Sequence, residues 1–108
     1  MKNYTYPPEV HIGGHVFKVE MIDGCATNMY INSVGHTSVE CADLGIAVRT
    51  NDGGYKHPDE LDATFCHEIT HQVSNVWGVG IDEKQTDQIA EGWMQALHSM
   101  GIRIIREV

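Results

Sequence analysis

This 108-residue chain predicts an α+β fold, a small antiparallel sheet packed on two helices, and three observations point that way. Apolar and polar residues alternate through much of the first half, as half-buried strands require. In the second half the apolar residues recur at helical spacing. Turn and cap residues stand at the joints: Gly13-Gly14, Asp23-Gly24, the NDGG run at 51–54, Gly78 and Asp82.

Residues 1–8 read as a short arm, because Pro7-Pro8 blocks regular structure; residues 9–108 then form a single domain. Two β-rich runs flank Gly13-Gly14, a pair suited to the positive φ angles of a two-residue hairpin turn. Phe17, Val19 and Met21 alternate with Lys18 and Glu20, giving one buried and one wet face. A further short strand is expected near Met29–Val34. Leu44, Ile46 and Val48 alternate again, and NDGG closes that strand with a loop.

The helical half is punctuated more sharply. Pro58 suits a first helical position, and Asp59, Glu60 and Asp62 place negative charge at the positive end of the helix dipole. Leu61, Phe65, Ile69, Val73 and Val76 follow at helical spacing, and Gly78 is a natural stop. A second helix is expected from Asp82, an N-cap residue with Gln85 as its capping-box partner. Ile89, Ala90, Trp93, Met94, Leu97 and Met100 make its apolar stripe. Trp77 and Trp93 are expected in the core between the helices. GIRIIREV ends the chain as a last strand or an ordered tail.

Composition excludes several functions. With 7 Lys+Arg against 15 Asp+Glu, the net charge is −8, and no basic stripe invites nucleic acid or an anionic membrane. No apolar run approaches transmembrane length, and MKNYTYPPEV has no signal-peptide core. Cys25, Cys41 and Cys66 form an odd, widely spaced set, as free thiols of a cytoplasmic protein do. They contain no CxxC pair that would favour a structural zinc site. Cys66 adjoins His67 but points along the apolar arc, against a Cys–His nucleophile.

Within the first helix stands His67-Glu68-Ile69-Thr70-His71. At about 100° per residue, the apolar arc centres between Leu61 and Val73. His67 and His71 project from nearly the opposite side, one above the other, as i and i+4 metal ligands must. Two solvated surface histidines would share that spacing. Glu68 weighs against them, since a carboxylate beside the first ligand can take a proton from a metal-bound water. For a third ligand the second helix offers Glu83, Asp87 and Glu91. Glu83 lies closest to the apolar edge and is favoured. Asp87, one turn on, is then a hydrogen-bond acceptor for a ligand histidine, or the ligand itself if the register is one turn off. Ordinary solvated acids are the plain alternative for all three. His11 and His15 flank the hairpin turn and read as exposed. Tyr55 and His57, before the helix, are oxyanion candidates or, as is commoner there, packing and capping groups.

IGGHVFKVEMID, GIAVRTND and DATFCHEITHQVSNVWGVGIDEKQTDQIAEGWMQAL together resemble the small phage and prophage zinc-metallopeptidase-like proteins, loosely related to the ImmA/IrrE-like peptidases and the minimal gluzincins. The likeness spans about residues 10–98. It implies a minimal zincin-like fold with Zn²⁺ held by His67, His71 and Glu83, Glu68 as general base, and Asp87 supporting a histidine. It also implies a protein of the bacterial or phage-infected cytoplasm. The interval between His71 and Glu83 is shorter than in large gluzincins, and neither Met29–Cys41 nor the GIRIIREV tail has a counterpart.

The expected function is a zinc-dependent metallopeptidase acting on a peptide or protein substrate through a zinc-activated water, with the strand near Ile46–Thr50 exposed to hold an extended peptide by strand addition. The alternative is a non-catalytic zinc-containing phage or prophage binding or regulatory module.

Overall fold

The computed structural model describes residues 2–25 and 42–108. Its elements run β1 (Tyr4–Thr5), β2 (Glu9–Ile12), β3 (His15–Ile22), β4 (Ala42–Ala47), α1 (Pro58–Trp77), α2 (Glu83–Ser99) and β5 (Arg106–Glu107). The α+β class is as expected. The strand expected near Met29–Val34, and Cys41, lie outside the described residues.

β2 and β3 form the predicted hairpin, with Ile12 opposite His15. Gly13 and Gly14 have φ of 54° and 85°, values that a two-residue hairpin turn needs and glycine takes without strain. Gly13 is required for a second reason. A Cβ there would lie 2.6 Å from Val76 Cγ1 and 3.0 Å from the Trp77 ring, so the hairpin tip rests on the C-terminal end of α1. His11 is exposed as expected, whereas His15 is half-buried.

The third strand departs from expectation. β4 runs parallel to β3, from Phe17 opposite Ala42 to Ile22 opposite Ala47, so the sheet, ordered β2-β3-β4, is mixed rather than antiparallel. A parallel neighbour requires a crossover connection instead of a hairpin, and the chain between Ile22 and Ala42 is long enough to make one. Leu44, Ile46, Ala47 and Val48 are all buried, the pattern of a strand covered on both faces. The side chains of the strand expected to be exposed near Ile46–Thr50 are thus buried through Val48 and half-buried at Arg49 and Thr50. Its backbone is also engaged: Val48 N donates to Ile22 O, Val48 O accepts from Lys56 N, and Thr50 N donates to Gly54 O. A substrate strand cannot pair with groups already taken along Val48–Thr50.

The main core joins Ile12, Phe17, Val19, Leu44, Ile46 and Val48 to Leu61 and Phe65 of α1 and to Ile105. Cys66, Ala90 and Met94 fill the seam between the helices. Large apolar side chains buried in this way each stabilise the fold by about 1.5–3 kcal/mol. The expected stripe of α2 is rotated: Thr86 joins Ala90 and Met94 on the buried row, while Ile89 and Met100 face solvent. Thr86 and Ala90, small residues at i and i+4, let the first half of α2 lie close to α1. Trp77 is 61% exposed, lying against the hairpin tip instead of between the helices, and Val73 is also exposed.

The predicted arm and tail meet. β1 pairs antiparallel with β5, and Ile105 reaches the core. Asp62, expected to place negative charge at the start of α1, is 0% exposed. It accepts from His98 Nε2 at 2.7 Å, Ile104 N at 3.2 Å and Ile105 N at 2.7 Å, pinning the tail to α1. Among the described residues no helix is long and apolar enough to cross a membrane.

Candidate metal centre

Both helices are fixed at their starts by caps written in the sequence. Pro58 opens α1, His57 Nδ1 accepts from Asp59 N at 3.4 Å, and Glu60 Oε1 accepts from His57 N at 3.3 Å. At the head of α2, Asp82 Oδ1 accepts from Gln85 N at 2.7 Å and Gln85 Oε1 from Asp82 N at 2.9 Å. These caps set the register of each helix and therefore the direction of every side chain on it. Gly78, with φ 63°, ends α1, and the short loop to Asp82 turns the chain so that the first turn of α2 faces the middle of α1.

His67 and His71 stack one turn apart with ring centroids 4.6 Å apart, edge to face. They are half-buried, because α2 covers the side of α1 from which they project. Glu83 and Asp87 come from that helix. His67 Nδ1 lies 2.7 Å from Asp87 Oδ1. A carboxylate only accepts, so Nδ1 donates and the tautomer is set. The nitrogen left over, His67 Nε2, meets Glu83 Oε1 at 2.6 Å, and His71 Nε2 meets Glu83 Oε2 at 3.0 Å. A lone-pair nitrogen and a carboxylate oxygen this close need a positive charge between them, either a proton or a metal ion.

The donor set suits zinc. Tetrahedral bonds of about 2.0–2.1 Å place ligand atoms roughly 3.3 Å apart. One donor atom from each of His67, His71 and Glu83 lies within 4.8 Å of the others. Small side-chain rotations would bring the three to that spacing.

Beside them a cavity of about 330 Å³ is lined by Ala63, Thr64, His67, Glu68, Glu83 and Asp87. Burial pushes the Glu68 carboxyl up to about 6; Glu83 adds to the rise, while His67 and Lys56 oppose it. A carboxylate with that affinity for protons is a competent general base near neutral pH. Glu91 is exposed and does not line the cavity.

The neighbouring candidates fall to structural roles. His57 is the α1 cap, and Tyr55 lies under the Arg49 guanidinium, 4.1 Å from its ring centroid; the cavity lining includes neither. Burial pushes the Cys66 thiol up to about 12, helped by Asp62 and Glu91, which makes it inert. Cys25 is an exposed free thiol.

Sequence reasoning missed three groups. Trp93 Nε1 donates to Thr70 Oγ1 at 2.9 Å, tying α2 to the turn of α1 that carries the histidines. Lys56 Nζ donates to Thr64 Oγ1 at 3.1 Å, and Thr64 lines the cavity. The third is Asp62, and its spacing carried a signal: it lies four residues before Cys66, on the same buried face. For Lys56 no local pattern gave one.

Compared with known proteins, the chain matches no family model, no curated protein and no solved structure. Its chemistry is read from these side chains.

Proposed function

We propose that the protein is a zinc-dependent metallopeptidase-like hydrolase that cleaves peptide bonds. The observation that carries this reading is the pair of imidazole nitrogens turned onto one carboxylate, His67 Nε2 and His71 Nε2 on Glu83, with Asp87 holding the His67 tautomer. His67, His71 and Glu83 are the ligands, and Asp87 orients His67. When bound, zinc supplies Lewis acidity to the attacking water and to the substrate carbonyl. Glu68 takes the proton from that water and returns it to the departing amine, so that peptide and water become acid and amine.

Glu68 separates catalysis from mere metal storage. A structural site has no use for a carboxylate that lines the adjoining cavity without being a ligand. The test is cleavage of unstructured peptides and of candidate bacterial or phage regulators, with zinc content measured in parallel. Glu68→Gln is expected to keep its zinc and its fold and to lose about 10²–10⁴-fold in cleavage rate. Cleavage undiminished in Glu68→Gln would contradict the assigned role. No cleavage by zinc-loaded wild type, together with a partner bound equally by both forms, would establish the non-catalytic module instead.

A further inference from the structure

Lys56 is hydrogen-bonded to a residue that lines the same cavity, Thr64, and has no part in the chemistry described so far. Its Nζ donates to Thr64 Oγ1 at 3.1 Å. Thr64 in turn donates to Glu60 O at 2.9 Å and lines the cavity. At its other end, Lys56 N donates to Val48 O at 2.8 Å, so the residue is tied to the end of the sheet and to α1. The side chain is half-buried. Burial lowers its pKa, against the opposing charges of Glu60, Cys25 and Glu68.

Among the described residues, Lys2, Arg49 and Arg103 are matched by acids, Glu107, Asp23 and Asp59, while Lys18, Lys84 and Arg106 are unmatched but exposed to water. Lys56 also has no acid partner among the described residues; a neutral hydroxyl holds it. Partly desolvating an ammonium costs free energy that a hydroxyl recovers only in part, whereas a carboxylate would recover it in a charge-assisted hydrogen bond. The position suits a substrate group. Thr64 precedes Glu68 by one helical turn, about 5.4 Å along α1, and an extended peptide spans roughly 3.3–3.6 Å per residue.

We propose that Lys56, held by Thr64, forms a carboxylate subsite that determines substrate specificity, receiving an anionic group one or two residues from the bond that is cleaved. The group is an Asp or Glu side chain or a free C-terminal carboxylate. The proposal rests on the zinc-hydrolase reading.

The test uses zinc-loaded wild-type protein with its metal content measured first, so that a failure of the zinc reading is seen separately as missing zinc. Calorimetric titrations compare succinyl hydroxamates coupled to Asp-amide or Asn-amide, and to Gly acid or Gly-amide. At least one acid is expected to bind about tenfold tighter than its neutral twin, and the pair that shows the difference names the source of the carboxylate. Lys56→Met should erase the difference with zinc content unchanged, and Lys56→Arg should keep part of it. Equal binding of both acids and their twins by wild type would overturn the proposal without requiring any variant to fold. So would an advantage that survives in Lys56→Met. Zinc missing from wild type would remove the subsite together with the reading that supports it.

Discussion

On one face of α1, Asp62 is 0% exposed and accepts from His98 Nε2 and from two backbone N–H groups of the tail. On another face, His67 and His71 meet Glu83 and Asp87, whose side chains are 67% and 66% exposed. Both are histidine–carboxylate clusters formed between the same two helices, yet their chemistry differs. Each donor around Asp62 brings its own hydrogen, so the buried carboxylate is satisfied without any added cation. Glu83 instead faces two imidazole nitrogens, one of them on a ring whose other nitrogen already donates to Asp87, beside an open cavity. Burial of an acid therefore says less about function than whether its partners bring protons. Asp62 is an anchor, whereas Glu83 belongs to a site built around a positive charge.

Stability should follow the anchor. Asp62→Ala leaves His98 and the Ile104 and Ile105 amides without their acceptor, and is expected to cost about 3–5 kcal/mol in urea unfolding, while the fraction that remains folded keeps its zinc. Asp87→Ala, at an exposed acid, should cost the metal-free protein under about 1 kcal/mol. A reversed ranking would break the contrast between the two clusters.

Metal affinity should follow the other cluster. Asp87→Asn removes the acceptor that orients His67 and is expected to weaken zinc binding about 10–100-fold, measured by chelator competition. Glu83→Gln should weaken it more, and Glu91→Gln should have little effect. Loss of zinc in Asp87→Asn with retention in Glu83→Gln would make Asp87 the ligand, one turn along.

Smaller effects test the scaffold between the clusters. Trp93→Phe removes the hydrogen bond to Thr70 and is expected to cost about 1 kcal/mol, with zinc stoichiometry unchanged. Cys66 contributes a pH dependence of known sign. Its folded pKa is raised by burial from 9.0 to about 12, so the unfolded chain releases the proton first. Stability is unaffected by this group below 9.0 and declines as pH rises from there toward 12. The difference between wild type and Cys66→Ala, followed by urea unfolding across that range, isolates the term.

Local chemistry made much of this legible. The Gly13-Gly14 turn, both helix starts and the Gly78 stop depend on neighbours in sequence, and all are found where the residues place them. The meeting of His67, His71, Glu83 and Asp87 was legible for the same reason, since two helix registers and a short loop leave few ways to face them. What failed depends on distant chain. The parallel pairing of β4 and the capture of the tail by Asp62 are set by residues far away in sequence. Trp77 was misplaced because its neighbour is the hairpin tip at Gly13, a contact that no helical wheel contains.

Elemental analysis of the purified, zinc-equilibrated protein and its variants measures directly whether His67 and His71 hold the metal. About one zinc per chain is expected in wild type and in His98→Ala, whose histidine belongs to the anchor. Stoichiometric zinc should be lost in His67→Ala and in His71→Ala, with the fold retained by circular dichroism. Full zinc content in the His67→Ala/His71→Ala double variant, or none in wild type, would contradict the central claim.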